Sequence, residues 1–228
     1  MDILIDLDGT LVDPKAGIIG SVQAALAGLG RPVPPMDALH WVIGPPLREA
    51  FPKLGVPADE VEQAVALYRA TYSGTGGSGA AGDGPPAMYT CEVYAGIEES
   101  LFALRRAGCR LIVTTSKPHV FAKPIVREKG LAEHFAAIHG AELDGTRDDK
   151  AELIAHIINT ECVDPANAIM VGDRKFDCVG AKTNGMRSIG VTWGYGSMAE
   201  LREAGASALC DQPKGLHRLA LWMLTGHG

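Results

Sequence analysis

The chain has 228 residues, 46% of which are hydrophobic, and its 27 acidic and 21 basic residues give a formal net charge of −6. This length and composition suit one sizeable globular domain with room for an insert. The acidic balance excludes a surface that coats a nucleic acid polymer, because such a surface needs basic residues to neutralise a run of phosphates. A single bound phosphate stays compatible with it, since a metal ion and a few placed donors are sufficient.

The cysteines and the N-terminus bear on the compartment. There are five cysteines and no CxxC pair: Cys91, Cys109, Cys162, Cys178 and Cys210. We therefore expect no structural zinc site, and the odd, widely spaced set indicates reduced thiols in the cytoplasm. The N-terminal sequence MDILIDLDGT lacks the basic start and long apolar core of a signal peptide. No segment has the length and hydrophobicity to cross a bilayer, so we expect no membrane partner.

Short apolar runs recur along the chain, at residues 3–5, 111–113, 136–138, 168–171 and 188–191. Each run is bounded by polar residues or glycine, which is typical of a strand that is buried on both faces. Apolar residues at helical spacing alternate with these runs, at 97–104 and 153–158. The alternation predicts an α/β protein with a doubly wound parallel (Rossmann-like) sheet as its core.

Residues 14–91 differ from the rest, with helical candidates at 18–29, 47–54 and 58–72 and no convincing strand. Because this stretch separates the first strand from the others, we predict an inserted all-helical cap at 14–91. The α/β core is then formed by residues 1–13 and 92–228. Residues 73–87, SGTGGSGAAGDGPPA, consist mostly of Gly, Ala, Ser and Pro, which predicts a flexible loop on the cap.

The first polar motif, Asp6-Leu7-Asp8-Gly9-Thr10, directly follows the first apolar run. Residues two apart in an extended chain face the same side, so the two carboxylates are expected to point the same way. Gly9 then allows a sharp turn. A pair of acids alone is a weak signal, because most such pairs only cap a turn, but DLDGT after a strand is far more specific.

Three later segments carry further polar residues. Residues 113–118, VTTSKP, offer hydroxyls and amides that suit a phosphoryl oxygen. Lys150 stands on a first helical turn, where the helix dipole favours acids instead. Asp173 and Asp177 in VGDRKFD offer the hard oxygen ligands that magnesium prefers. Singly, each segment is more simply interpreted as a helix cap or a surface charge; together, on successive strands, they favour one shared site.

These four segments resemble the phosphatase branch of the haloacid dehalogenase superfamily. Its signatures are DLDGT, a Thr or Ser after the second core strand, a Lys, and GDxxxD, and the resemblance covers nearly the whole chain. It is greatest to the phosphoglycolate phosphatase group, which carries helical caps. The segments IGPPL, TSKP, ELDGTRDDK and VGDRKFD are similar to a bacterial subgroup labelled phosphoglycolate phosphatase or 5′-nucleotidase.

The resemblance implies a magnesium-dependent phosphomonoester hydrolase that forms an aspartyl-phosphate. By this likeness Asp6 is the nucleophile, and Asp8 is the general acid and base. Magnesium is then held by the Asp6 carboxylate, the Asp8 backbone carbonyl and the Asp173 carboxylate, with Asp177 supporting the site. An acid at the position of Asp8 is absent from the true dehalogenases of the superfamily, which favours phosphoryl chemistry.

The phosphoryl oxygens are assigned by the same resemblance to Thr115 and Lys150, with help from the Ser116 amide. Thr114 competes with Thr115 for the hydroxyl role, and Thr115 fits the family register better. A second anionic group of the substrate has two candidate ligands, Arg48 and Lys117, although both residue types are by default surface charges.

The substrate expected from the resemblance is a small phosphorylated metabolite, either phosphoglycolate-like or a nucleoside monophosphate. Three alternatives stay open: a phosphomutase of the β-phosphoglucomutase type, a protein-tyrosine phosphatase, and a non-catalytic binding protein. We expect a monomer or homodimer. Residues 193–196, WGYG, line the site rim or serve packing, and His119 and His139 are interpreted as surface or internally satisfied residues.

Overall fold

The computed structural model describes residues 1–75 and 85–226 and divides into two compact units. The first comprises Met1–Asp13 and Val93–Gly228, and the second comprises Pro14–Glu92. The boundary after Asp13 coincides with the predicted one, and the boundary after Glu92 lies one residue from it. Part of the predicted glycine-rich loop, residues 76–84, lies outside the described residues.

The first unit is built on a six-stranded sheet with the order β5-β4-β1-β6-β7-β8, in which every neighbouring pair is parallel. A separate two-stranded sheet is formed by β2 and β3. The strands are β1 Asp2–Ile5, β2 Val12–Asp13, β3 Glu92–Val93, β4 Arg110–Pro118, β5 Ala137–Ala141, β6 Ala168–Gly172, β7 Arg187–Val191 and β8 Ala208–Cys210.

The sheet core follows from the apolar runs of its central strands. Side chains alternate between the two faces of a strand, so both faces of the central strands need apolar residues. On one face Leu4, Ile112 and Met170 are fully buried in a cluster with apolar residues of α6. The doubly wound parallel sheet predicted from the sequence is confirmed.

When the six strands of this sheet are numbered in the order in which they occur along the chain, their order across the sheet is 3-2-1-4-5-6. The chain therefore adds strands first on one side of β1 and then, from β6 onward, on the other side. Ligands of such sheets bind beyond the carboxyl ends of the strands at this reversal point. Backbone hydrogen bonding continues past the end of β1, because Asp6 N donates to Val171 O over 2.9 Å. The fold therefore brings the residues after β1 and β6 together.

Six helices accompany the strands of this unit: α4 Ile97–Arg106, α5 His119–Glu128, α6 Lys150–Glu161, α7 Lys175–Thr183, α8 Met198–Glu203 and α9 Leu216–Thr225. The apolar runs predicted α4 and α6 but not α5, α8, α9 or the short strand β8. β4 extends five residues beyond its predicted end and carries the TSKP residues on the strand itself.

The second unit contains α1 Lys15–Gly28, α2 Leu47–Lys53 and α3 Val61–Ser73, close to the three predicted helices. On α3 the buried residues Val61, Ala64, Val65, Tyr68 and Tyr72 recur at helical spacing and form one apolar stripe. α3 packs against α1. No described helix combines the length and apolar character needed to span a membrane.

Two glycines of α1 provide a matched pair for testing the packing of the second unit. A Cβ at Gly17 would lie 2.2 Å from the backbone oxygen of Ala87, whereas a Cβ at Gly20 would meet no heavy atom within 4 Å. We expect Gly17→Ala to lower the free energy of unfolding by about 1–3 kcal/mol through overpacking. Gly20→Ala should raise it by about 0.5–1 kcal/mol, because alanine favours the helix. Thermal or urea unfolding measures both; equal effects of the two substitutions would contradict the close approach of α1 to Ala87.

Candidate active site

Asp6 and Asp8 lie in a tight turn that follows β1. Gly9 has φ +80°, the left-handed region in which other residues are strained. The turn is closed by hydrogen bonds from Leu11 N and Val12 N to Leu7 O, of 2.9 and 3.0 Å. A Cβ at Gly9 would lie 2.3 Å from Asp173 Oδ2, so any side chain here would displace the carboxylate that follows β6. The DLDGT sequence thus brings its backbone against Asp173.

Asp173 is fully buried and held on both carboxylate oxygens. Thr10 Oγ1 donates to its Oδ1 over 3.4 Å, and the backbone N–H of Tyr195 donates to its Oδ2 over 2.7 Å. The Tyr195 hydroxyl in turn donates to Asp13, and Trp193 Nε1 donates to Thr10 O over 3.1 Å. The WGYG segment is therefore a brace that fixes Asp173 and the turn after β1.

The role of this brace was not predicted from the sequence. The sequence alone leaves packing and the rim of the site as alternatives for residues 193–196. The only available signal was the position of the segment after β7, because the carboxyl end of that strand points to the same sheet edge as those of β1 and β6.

Lys150 is the first residue of α6, and its ammonium lies between two carboxylates. Its Nζ is 3.1 Å from Asp6 Oδ1, 2.8 Å from Asp177 Oδ1 and 2.9 Å from Thr114 O. Asp149 caps the helix by accepting from Ala151 N and Glu152 N, which fixes where the helix begins. Since only 5% of Lys150 is exposed, the interpretation as a solvated surface lysine is wrong.

Asp177 lies on the first turn of α7 and is also buried. Besides its ion pair with Lys150, its Oδ2 accepts from Arg174 N over 3.2 Å, so the carboxylate is held at the start of the helix. Asp6, Asp173 and Asp177 offer ligand atoms that all lie within 4.8 Å of one another. We call these three residues the carboxylate cluster.

Burial and the neighbouring carboxylates raise the pKa values of two carboxyl groups of the cluster. Burial, together with the charges of Asp6 and Asp177, raises the pKa of Asp173 well above its ordinary value. Burial raises the pKa of Asp177 to about 6, although Lys150 opposes the shift. Burial acts to lower the pKa of Lys150, but the carboxylates of Asp177 and Asp6 outweigh it, and the pKa is raised.

The cluster fits a hard divalent cation. Asp6 Oδ1 and Asp177 Oδ1 are buried and close to Lys150, yet neither makes a hydrogen bond of good geometry. One lysine cannot neutralise three carboxylates, and the remaining negative charge lies on oxygen atoms. Carboxylate oxygens are the ligands of magnesium in proteins. The predicted carboxylate ligands Asp6 and Asp173 therefore lie together, with Asp177 beside them.

Asp8 is paired with Lys117, a residue that had been predicted only as a ligand for a second anionic group. Lys117 Nζ lies 2.7 Å from Asp8 Oδ2, and both side chains are largely buried. β4 changes register with β5 between Thr115 and Pro118, which is where Lys117 leaves the regular strand. Burial raises the pKa of Asp8, opposed by the charge of Lys117. Its other oxygen, Oδ1, is buried and makes no hydrogen bond with any residue in the ranges 1–75 and 85–226.

The two threonines of β4 make different contacts. Thr114 is buried, its hydroxyl donates to Ile112 O over 3.4 Å, and its carbonyl accepts from Lys150. Thr115 Oγ1 instead accepts from Lys117 N over 3.2 Å, which leaves the hydroxyl proton to donate elsewhere. These contacts favour Thr115 as the donor to a bound oxygen. Ser116 lies between Thr115 and Lys117 on the half-buried end of the strand.

Arg48 and the two histidines are engaged elsewhere. Arg48 lies on α2 of the second unit, where its guanidinium contacts Glu62 through Nε at 2.6 Å and Nη2 at 3.0 Å. Its role toward substrate stays a prediction. His119 pairs with Glu142 at 3.1 Å and His139 pairs with Glu161 at 2.8 Å, so both are internally satisfied as expected.

Comparison with known proteins identifies the family. Residues 3–191 match the model of the haloacid dehalogenase-like hydrolases. A 5′-nucleotidase of Pseudomonas aeruginosa is 43% identical over 219 residues, which are 96% of this chain and 94% of that protein. A phosphoglycolate phosphatase of Cupriavidus necator is 31% identical over 222 residues, 95% of this chain and 91% of that protein. The chain belongs to the haloacid dehalogenase-like hydrolase family.

Two further similarities extend the comparison. The tyrosine-protein kinase PtkA of Mycobacterium tuberculosis is 39% identical over 194 residues, 85% of this chain but only 62% of that protein. The crystal structure of a predicted phosphatase from Clostridium acetobutylicum has a TM-score of 0.87 and 36% identity, and covers 96% of this chain and 97% of its own. Proteins named as phosphatases and as a kinase thus share this architecture.

The excess negative charge of the carboxylate cluster predicts stabilisation by divalent cations. At about one hundred times its Kd, Mg²⁺ should raise the free energy of unfolding by about 2.7 kcal/mol. Asp173→Asn should remove most of this response, because it replaces a buried carboxylate by a neutral amide. Thermal unfolding with and without Mg²⁺ measures the effect. Asp211 is exposed, so Asp211→Asn is the control and should be stabilised by Mg²⁺ as much as the wild type. If Mg²⁺ stabilised Asp173→Asn as much as the wild type, the carboxylate cluster would not be the cation site.

Proposed function

We propose that this haloacid dehalogenase-like hydrolase is a phosphatase that cleaves phosphomonoesters through an aspartyl-phosphate on Asp6. The single observation that carries the proposal is the buried position of Asp6 beside Lys150 and within the carboxylate cluster. A carboxylate held next to a cation at the carboxyl edge of the sheet can meet an anionic phosphate that an isolated carboxylate would repel.

In the first step, a carboxylate oxygen of Asp6 attacks phosphorus, and the bond from phosphorus to the ester oxygen breaks. Asp8 in its protonated form gives its proton to the departing oxygen, which leaves as an alcohol. In the second step, Asp8 takes a proton from a water molecule whose oxygen attacks phosphorus. The bond to Asp6 breaks, and phosphate leaves with the Asp6 carboxylate restored.

Lys150 and Thr115 bind the phosphoryl oxygens in this proposal, together with the Ser116 amide. Lys150 is fixed by Asp6, Asp177 and Thr114 O, so its charge needs no reorganisation when phosphate arrives. Magnesium, held by Asp6, Asp173 and the Asp8 carbonyl with Asp177 in support, would supply further charge neutralisation for the phosphate.

The proposed role of Lys117 is to orient Asp8. The ion pair at Oδ2 occupies one side of the carboxyl group, and Oδ1 makes no hydrogen bond within the part of the chain that the structure describes. With Oδ2 fixed by the ion pair, Oδ1 is the oxygen that can carry the proton. A carboxyl group held in this way can direct that proton to the leaving oxygen of the substrate. This role is an alternative to the prediction that Lys117 binds a second anionic group of the substrate.

The proposed substrate is a small phosphorylated metabolite, a nucleoside monophosphate or a phosphoglycolate-like compound. Support comes from relatives named 5′-nucleotidase and phosphoglycolate phosphatase. A second candidate is activity on a phosphorylated tyrosine, which the similarity to PtkA favours. The cytoplasmic location stays a prediction, which the five free cysteine thiols support. The oligomeric state, monomer or homodimer, also stays a prediction.

Replacement of the nucleophile tests the mechanism. Asp6→Asn should lower the turnover of an aryl phosphate at least about 10⁴-fold, because an amide cannot form the aspartyl-phosphate. Phosphate release measures turnover, and far-ultraviolet circular dichroism checks that the fold is retained. Asp211→Asn is the matched control and should turn over normally. Near wild-type turnover by a folded Asp6→Asn protein would sink the proposal.

A screen of phosphate release defines the substrate. The panel contains nucleoside monophosphates, phosphoglycolate, sugar phosphates and phosphotyrosine, each with Mg²⁺ and with EDTA. We expect the highest kcat/KM for one of the first two classes and no turnover in EDTA. Preference for phosphotyrosine would select the second candidate, and turnover undiminished by EDTA would refute the magnesium requirement.

Lys117→Met separates the two roles considered for Lys117. If Lys117 orients Asp8, the substitution should lower kcat/KM about 100-fold for an alkyl phosphate, whose leaving oxygen needs a proton. For p-nitrophenyl phosphate, whose leaving group is stable as an anion, the loss should be several-fold at most. Asp8→Asn should show the same contrast, and Lys117→Arg should recover part of the alkyl activity. A raised KM confined to substrates with a second anionic group would instead support the role predicted from the sequence.

A further inference from the structure

A second polar pocket of about 220 Å³ lies beside β5, the edge strand of the sheet, and shares no residue with the carboxylate cluster. Its polar walls come from four elements: His119 and Lys123 of α5, His139 of β5, His156 of α6, and Glu142 and Arg147 of the segment that joins β5 to α6. Three of the seven histidines of the chain therefore meet in one place.

Acidic neighbours hold several of these side chains in position. Glu142 contacts both Arg147 and His119, the latter at 3.1 Å. His139 Nε2 lies 2.8 Å from Glu161, and its ring meets that of His156 edge-on at 5.9 Å between centroids. The second nitrogen of each paired ring is open to a further contact, and it donates a hydrogen bond when the ring is protonated.

Arg147 supplies an unsatisfied donor among the residues that line the pocket. Its Nε is buried and has no hydrogen-bond partner among the described residues, although a buried guanidinium nitrogen normally finds one. The residue also has φ +63°, a left-handed conformation that is uncommon outside glycine. The guanidinium is thus held at the pocket with one N–H unsatisfied.

The charge of the pocket favours an anion. Lys123 and Arg147 carry permanent charge, three imidazoles stand with them, and Glu142 is the one carboxylate among the lining residues. Burial, and after it the charges of Arg147 and His139, lowers the pKa of His156. Counting Lys123 and Arg147 against Glu142 and taking the imidazoles as neutral, the lining residues carry a net charge of +1 (2 − 1), on a chain whose net charge is −6.

A transition metal is the obvious rival, because imidazole binds zinc, copper and nickel. Metal binding needs ligand atoms that converge on one point. Among the described residues, the group whose ligand atoms converge in this way is the carboxylate cluster, and the pocket imidazoles do not form another. Arginine and lysine in the wall also disfavour a cation.

We propose that this pocket is a second anion site, which binds the phosphate group of a small molecule through Arg147, Lys123 and the surrounding histidines. Arginine and lysine are the side chains that bind phosphate in proteins, by paired hydrogen bonds and as a point charge respectively. The segment that carries Arg147 ends at Lys150, so the site adjoins the part of the chain that positions the catalytic lysine.

The test follows the histidine signals of the full chain by nuclear magnetic resonance, with Mg²⁺ present and chloride matching the ionic strength. The two probes are inorganic phosphate and a non-hydrolysable alkyl phosphonate. We expect saturable shifts of the His119, His139 and His156 signals, assigned by single substitutions. Lys123→Met and Arg147→Met should each weaken binding about tenfold, the loss of one charge-assisted contact. Arg127→Met removes an exposed charge from the same helix and should leave binding unchanged.

The outcomes decide the proposal without reference to catalysis. Tighter binding of the phosphonate identifies a phosphorylated metabolite as the ligand, and equal or tighter binding of phosphate identifies the free ion. Should Arg147→Met fail to fold, the exposed Lys123 still supplies a decisive variant. The proposal is overturned if the three signals do not move at concentrations about ten times a millimolar Kd. It is equally overturned if Lys123→Met leaves the Kd for both probes unchanged. The same holds if Zn²⁺ shifts the three histidine signals and neither probe does.

Discussion

The ion pairs of Lys150 with Asp6 and Asp177 are the interaction on which the first unit depends. Two like charges 4 Å apart repel by about 4 kcal/mol at the effective dielectric of a partly buried site, so three adjacent carboxylates strongly oppose folding. One buried ammonium, within 3.1 Å of two of them, offsets part of this repulsion. The residual negative charge makes the site receptive to a divalent cation, and the same imbalance that costs stability supports the proposed chemistry.

The parallel sheet explains why this arrangement forms at one edge. Asp6 follows β1, Asp173 follows β6, and these adjacent strands mark the reversal of strand order. The Tyr195 amide then reaches Asp173 from beyond β7. Each contact joins residues that are distant in sequence but emerge from neighbouring strand ends. The backbone at the strand ends consequently sets much of this geometry, and side chains such as Lys150, Lys117 and Thr10 complete it.

Sequence patterns predicted those parts of the molecule whose signal is local. Short apolar runs gave β1, β4, β5, β6 and β7, and DLDGT and GDxxxD marked Asp6, Asp8, Asp173 and Asp177. The short strand β8 lacks a run long enough to stand out, since it spans three residues. The pairing of Lys117 with Asp8 joins residues more than a hundred positions apart, and it depends on a change of register within β4. No local pattern encodes such a contact.

The relatives place a constraint on where specificity arises. Proteins named 5′-nucleotidase, phosphoglycolate phosphatase and tyrosine-protein kinase share this family's sequence pattern, yet their names imply different donors and acceptors. The nucleophile and its lysine have the same task in every phosphoryl transfer, which is to stabilise charge on phosphorus. The general acid and base has a different task, because it exchanges a proton with the leaving oxygen and with the attacking oxygen. The attacking oxygen belongs to water in a phosphatase and to a hydroxyl group of the acceptor in a kinase or mutase. In the proposed mechanism, the orientation of Asp8 by Lys117 is therefore the feature of the core unit that acts on the group entering the reaction.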